Sequence, residues 1–234
     1  MLESNTVHHG DCLALLPEIE SETVDAVITD PPYGIDYQSA RRTATERHPK
    51  IENDKHPFIW WLHDAFRILR ANGILLCFCR WDVQEAFKQA IEWAGFTIRS
   101  QVIWDREIHG MGDLKASFAP QHDVIWFATK GAYEFPSNRP QSIIRVPRIG
   151  GEELRHPNEK PVDLMRYLIQ VTTRAGDLIV EPFAGSGSTC LAAMQEGRRC
   201  IGMEKDEKYV RLANSRLSSI QIHFQLHWHG GIAE

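Results

Sequence analysis

The sequence predicts an open α/β sheet, mostly parallel, with helices on both faces and an antiparallel hairpin at one edge. Three observations point there. Short apolar runs rich in β-branched residues, such as Val24–Ile28, Ile74–Phe78 and Leu178–Val180, alternate with longer segments of helical apolar period, the pattern of strands joined by crossover helices. Two of these runs lead into loops of unusual composition rather than into simple turns. The runs Phe96–Trp104 and Asp123–Thr129 follow one another with no helical pattern between them, as antiparallel neighbours do. With 234 residues the chain can bury one large core. A single domain over 1–219 is expected, followed by a tail, 220–234.

In order, a short strand from Thr6 leads to Gly10-Asp11 and then to a helical turn, Cys12–Leu16, which Asp11 can cap. The strand Val24–Ile28 ends at Asp30-Pro31-Pro32-Tyr33. A polar segment without period then runs from Gly34 to Pro57 and holds Arg41, Arg42, Arg47 and Lys50; it is longer than an ordinary connection, as functional loops are. From Phe58 to Arg70, Ile59, Leu62, Phe66 and Leu69 fall near one helical face, and Asn72-Gly73 is the expected stop. A strand over Ile74–Phe78 precedes a helix over Trp81–Trp93, halted at Gly95. Trp60, Trp61 and Trp93 are expected in the core or at an interface.

The stretches 106–121 and 136–154 are irregular and punctuated by glycine and proline, and the second carries Arg139, Arg145 and Arg148. Loops of this kind on a compact sheet are where binding surfaces sit. A helix over Val162–Thr172 precedes the strand Leu178–Val180, a glycine-rich loop and a further helix; the last sheet strand, Arg199–Met203, ends at Glu204. In the tail, Ile220, Ile222, Phe224, Leu226 and Trp228 alternate with Gln221, His223, Gln225, His227 and His229. That period of two predicts a strand, able to pair with the sheet edge or a second copy. His227 and His229 would share a face without a third ligand, so no metal is expected.

Two loops carry chemistry. In Asp30-Pro31-Pro32-Tyr33 the prolines remove two backbone donors and fix φ, leaving carbonyls free of sheet pairing. An ionised Asp30 and the Pro31 carbonyl are two acceptors able to grip both hydrogens of one planar NH2 group, and Tyr33 offers a ring face. Acceptors placed off the plane of an exocyclic amine favour the pyramidal, nucleophilic form. The second loop, Glu181-Pro182-Phe183-Ala184-Gly185-Ser186-Gly187-Ser188-Thr189, lies between a strand and a helix, where glycines let backbone N–H groups approach a ligand. Its spacing is not G-x-G-x-x-G and no phosphate-gripping Lys follows. In an open sheet both loops would flank the point where strand order reverses.

The first tetrapeptide resembles the [DNS]-P-P-[YFW] signature of the amino-methyltransferases of nucleic acids, and the second loop resembles their D-P-F-x-G-S-G-[ST] cofactor motif, with Glu181 in place of Asp. His156-Pro157-Asn158-Glu159-Lys160-Pro161 is similar to their H-P-[TA]-[QE]-K-P, five of six positions matching. The resemblance spans Gly10 to about Leu217 and implies a Rossmann-like, adenosylmethionine-dependent methyltransferase fold. The catalytic motif precedes the cofactor motif, the order of one circularly rearranged group. It implies Asp30, Pro31, Pro32 and Tyr33 as catalytic residues. For the cofactor it implies Asp11, Cys12, Asp30, His156, Asn158, Lys160, Glu204 and Lys205, together with Glu181, Pro182, Phe183, Ala184, Gly185, Ser186, Gly187 and Ser188. Asp at the first catalytic position points to N6 of adenine in DNA, with direct displacement on a flipped base. The domain then divides into a catalytic half 1–135, a target-recognition loop 136–155 and a cofactor half 156–219.

Composition narrows the partners. A formal net charge of −5 is wrong for a passive nucleic-acid coat, so contact with DNA would rest on local cations: Arg41, Arg42, Arg47, Lys50, Arg139, Arg145 and Arg148. The five cysteines, Cys12, Cys77, Cys79, Cys190 and Cys200, form no C-x-x-C pair and read as reduced core thiols. The chain has no apolar run of bilayer length and no signal-peptide start; a cytoplasmic protein acting on double-stranded DNA, alone or as a homodimer, is expected. A cytosine-N4 or RNA enzyme, a cofactor-binding regulatory subunit and a nicotinamide oxidoreductase are the alternatives.

Overall fold

The computed structural model describes residues 2–34, 57–110, 115–150, 154, 156 and 158–228, with side chains up to Ile220 at the carboxyl end. Among these residues eight strands form one sheet: β1 (Thr6–His9), β2 (Val24–Thr29), β3 (Leu69–Cys79), β4 (Thr97–Asp105), β5 (His122–Thr129), β6 (Ile143–Arg145), β7 (Leu178–Glu181) and β8 (Arg199–Glu204). Their order is β1-β8-β7-β2-β3-β5-β4-β6. Only β5 runs against its neighbours, β3 and β4; the other neighbours pair in parallel. Seven strands therefore deliver their carboxyl ends to the same edge of the sheet.

Side chains alternate across the sheet as the pleat requires. On β3, Ile74, Leu76 and Phe78 join one buried cluster and Leu75, Cys77 and Cys79 the other. The first cluster takes in α4 (Val162–Thr172), α5 (Ser188–Gln195) and α6 (Glu207–Trp228); the second takes in α1 (Cys12–Leu15), α2 (Leu62–Ile68) and α3 (Gln84–Trp93). Helices of the amino-terminal half thus cover one face and those of the carboxyl-terminal half the other. All five cysteines are free and buried. Trp61 is in the core, whereas Trp60 and Trp93 are exposed. Among the described residues no helix is long and apolar enough to cross a membrane.

Several boundaries differ from the expectation. The predicted helix over 58–70 is confined to α2, because Leu69 already pairs with Val24 as a strand residue. Asn72 does not stop a helix; it turns left-handed (φ 66°) within β3, and its N–H reaches the Lys130 carbonyl at 2.6 Å. The β4–β5 hairpin is antiparallel as predicted but not terminal, since β6 joins beyond β4. That strand comes from the segment 136–154, expected to be irregular. The tail strand from Ile220 is corrected to helix: α6 continues to Trp228. Leu217, Ile220, Phe224 and Trp228 are also spaced by three or four, and lengthening a helix already begun needs no new nucleus.

At the β1 edge, Asn214 of α6 accepts from the Val7 N–H and donates to the Val7 carbonyl, both at 2.9 Å. Its amide occupies the place of a further strand. No such cover lies over β6 among the described residues, where Ile143 is exposed.

Candidate active site

β2 and β7 lie side by side in parallel, Ala26 opposite Ile179 and Val27 opposite Val180. From β7 the chain proceeds to β8 on one side, and from β2 to β3 on the other. The order therefore reverses between them, and ligands of such sheets bind at this point beyond the strand ends. A cavity of about 630 Å³ opens there, within the range of small-molecule sites. Both loops singled out in the sequence line it, with Tyr33 and Gly185 on the same cavity.

The loop after β2 is held by its own side chains. Asp30 Oδ1 accepts from the Tyr33 hydroxyl, and Oδ2 pairs with the Lys160 ammonium. The Pro32 carbonyl accepts from Phe58 N–H at 3.2 Å, whereas among the described residues no backbone donor reaches the Pro31 carbonyl. Asp30 and Pro31 thus present the two acceptors the sequence suggested. Burial, then the Asp30 carboxylate, push the Tyr33 phenol well above its usual range, so it stays a hydroxyl donor. Its ring meets Phe87 edge-on, 6.4 Å between centroids.

The loop after β7 is held from beneath. Gly185 and Gly187 have φ of 50° and 81°, and a Cβ on Gly187 would come within 2.9 Å of the Ala213 Cβ. Gly187 is the one loop residue expected at the cofactor that does not line the cavity; it turns the chain into α5 instead. Gly185 N–H donates to Glu204 Oε2 at 2.9 Å, and Asp206 N–H to Oε1 at 2.8 Å. Glu181, 3 % exposed, accepts from Thr29 Oγ1 at 2.5 Å, Thr189 Oγ1 at 2.9 Å and Phe183 N–H at 3.1 Å. Desolvation pushes its carboxyl up to about 8, against the hydrogen bonds that lower it. Since Thr29 immediately precedes Asp30, the Glu181 carboxyl joins the strands of both motifs.

The remaining expected residues divide. Asp11 both caps α1, accepting from Leu13 N–H at 3.0 Å, and lines the cavity. Cys12, His156, Asn158, Lys160 and Lys205 also line it, and burial raises the Cys12 thiol to about 12, so it is an uncharged wall. Arg139, Arg145 and Arg148 are exposed and do not line it; Arg145 lies 3.6 Å from Asp105. Arg41, Arg42, Arg47 and Lys50 lie outside the described residues.

Sequence reasoning missed Phe58, Thr189, Asp206, Glu207 and Tyr209 on the wall. It also missed Arg216, whose Nη1 reaches Glu159 Oε1 at 3.0 Å, the Ser186 carbonyl at 2.6 Å and Ser186 Oγ at 3.0 Å. Glu159 is 3 % and Arg216 10 % exposed at the side chain. Only the fourth position of the His156–Pro161 motif hinted at Glu159, and nothing local marked Arg216.

The cavity lining is rich in acceptors. Asp11, Asp30, Glu159, Glu181, Glu204, Asp206 and Glu207 face two lysines, Lys160 and Lys205. This acid-rich wall suits a ligand carrying ribose hydroxyls, an ammonium and a sulfonium, its lysines, Asn158 and Ser188 suit a carboxylate, and Phe58, Phe183 and Tyr209 supply apolar faces. Adenosylmethionine fits that description.

Fold and site together define a methyltransferase-type α/β protein with both motif loops on one crevice. Residues 24–215 match the DNA methylase family, and the chain belongs to it; it is an adenosylmethionine-dependent DNA methyltransferase. The Escherichia coli (strain K12) protein YubD is 30 % identical over 213 residues, 91 % of this chain and 89 % of that protein. The DNA adenine methyltransferase YhdJ of the same strain is 26 % identical over 254 residues, 92 % of this chain and 83 % of the relative. Among solved structures, the cytosine-N4-specific PvuII DNA methyltransferase superposes with a TM-score of 0.72 at 18 % identity, covering 93 % of this chain and 87 % of that one.

Proposed function

We propose that this protein methylates the exocyclic N6 of adenine in double-stranded DNA. The observation that carries the reading is the meeting of Asp30 and the Pro31 carbonyl with the glycine loop on one cavity at the strand reversal. When bound, adenosylmethionine supplies a methyl group on a sulfonium sulfur, open to displacement by a neutral amine. Asp11, Cys12, His156, Asn158, Glu204 and Lys205 would hold it beside the loop from Glu181 to Ser188. Asp30 and Pro31 would accept the two amine hydrogens and turn the nitrogen lone pair out of the base plane. Tyr33 would take the face of a base swung out of the duplex. No proton need leave before the new bond forms, because the amine becomes acidic only once it is cationic. Asp30, rather than Ser, and the likeness to YhdJ favour adenine.

The likeness to the PvuII enzyme favours cytosine N4 as the second reading. Digesting methylated DNA to deoxynucleosides decides between them: N6-methyl-2′-deoxyadenosine supports the first, and N4-methyl-2′-deoxycytidine overturns it. Residues 136–155 would read the target, with Arg139, Arg145 and Arg148 positioned on phosphates or guanine edges; the cations of 34–57, a segment that follows Tyr33 in sequence, would add phosphate contacts. So short a reading segment suits a short target or two copies acting together. A role beside a restriction enzyme is the setting proposed; mapping modified positions in a host without its own methylation tests site specificity.

A further inference from the structure

Lys160 was expected at the cofactor, yet its ammonium rests on the catalytic carboxylate. Asp30 is gripped from two sides, by the Tyr33 hydroxyl on Oδ1 and by Lys160 on Oδ2. The lysine is itself placed. Pro161 follows it, and α4 starts at the next residue; its ammonium lies 5.2 Å from the centre of the Phe78 ring on β3. Both members of the pair are largely withdrawn from water, with side-chain exposures of 13 % for Lys160 and 16 % for Asp30. A carboxylate offers about four lone-pair directions, so two remain for an incoming amine after both grips are made. Tyr33 alone would restrain rotation about the Cβ–Cγ bond of Asp30 from one oxygen only. The second grip fixes its plane relative to the Pro31 carbonyl, and that relation sets where the two amine hydrogens must lie.

We propose that Lys160 is a positioning residue: an electrostatic strut from the cofactor half that fixes the Asp30 carboxylate for the amine. The inference rests on the catalytic role given above to Asp30, and the following experiments separate the two. Acylation of Lys160 in the cofactor-free protein, read by mass spectrometry, should be slow in the wild type and at least about tenfold faster in Asp30→Asn. Equal rates would mean that the pair does not form and would overturn the proposal. In single-turnover transfer to DNA from a host without adenine methylation, at saturating cofactor, Lys160→Met should be slowed about 100-fold, the scale of an ångström-level misplacement. Lys160→Arg, which keeps the charge and the donors, should recover at least about tenfold of that loss. Adenosylhomocysteine binding, measured by calorimetry, should stay within about threefold in both variants. A Lys160→Met protein that binds it tenfold or more weakly but transfers normally when saturated would show the lysine to be a cofactor ligand instead. If wild-type protein modifies no adenine, the functional reading fails, while the acylation and calorimetric results still decide the role of Lys160.

Discussion

The two loops that meet at the strand reversal are built on opposite principles. The loop proposed to be catalytic is fixed by groups lining the cavity itself: Asp30, Tyr33 and Lys160 bind one another on its wall. The glycine loop is fixed mostly from below, by Arg216 at the Ser186 carbonyl and by the fit of Gly187 against Ala213, with Glu204 on the cavity wall taking the Gly185 N–H. The first loop is held by contacts a ligand can share; the second rests largely on groups behind the wall. Damage to the first should therefore appear in turnover, and damage to the second in cofactor affinity and stability.

The largest expected effect tests the first half of that contrast. Asp30→Ala should lower single-turnover methyl transfer by ~10³-fold or more, as loss of a preorganised electrostatic partner does, with adenosylhomocysteine affinity by calorimetry nearly unchanged. Arg216→Met tests the second half. It removes the cation facing the buried Glu159 carboxylate, which keeps the Ser188 hydroxyl at 3.4 Å, a loss of about 3–5 kcal/mol in denaturant unfolding, and should weaken the cofactor; adding Glu159→Gln should restore part of both. Gly187→Ala forces a left-handed residue against α6 at a cost of about 1–3 kcal/mol. It should weaken cofactor binding while sparing the saturated rate.

Glu181 sharpens the comparison through pH. Its carboxyl is raised by burial to about 8, so between the ordinary carboxylate range and pH 8 the folded protein holds a proton that the unfolded chain has released. Its contribution to stability is complete at pH 4 and lost as pH rises through 8. Thermal midpoints should fall over that interval in the wild type and fall less in Glu181→Gln. The smallest effects belong to the surface. Replacing Arg139, Arg145 or Arg148 by Ser should each lower the salt dependence of DNA binding by about one unit for every phosphate that the arginine neutralises, leaving cofactor affinity alone.

Most of the sheet and the cavity wall could be read locally. Asp30-Pro31-Pro32-Tyr33 and the glycine loop advertise their chemistry in consecutive residues, and strands such as β2 and β7 have one reading because both faces are covered. What escaped depends on distant partners. Arg216 is one basic residue on a helix until the fold brings it under Ser186, and β6 is three residues whose pairing with β4 no local pattern specifies. The error at Ile220–Trp228 has a different origin. Those residues satisfy periods of two and of 3.6 together, so the helix already running from Glu207 decided the outcome.

The side-chain amide of Asn214 blocks one margin of the sheet at Val7, whereas the opposite margin ends in β6 with Ile143 bare. Among the described residues strand-to-strand growth then has a single starting place per molecule. Two copies meeting there would consume both starting places, so association by that route would end at a pair and would not continue into a fibre.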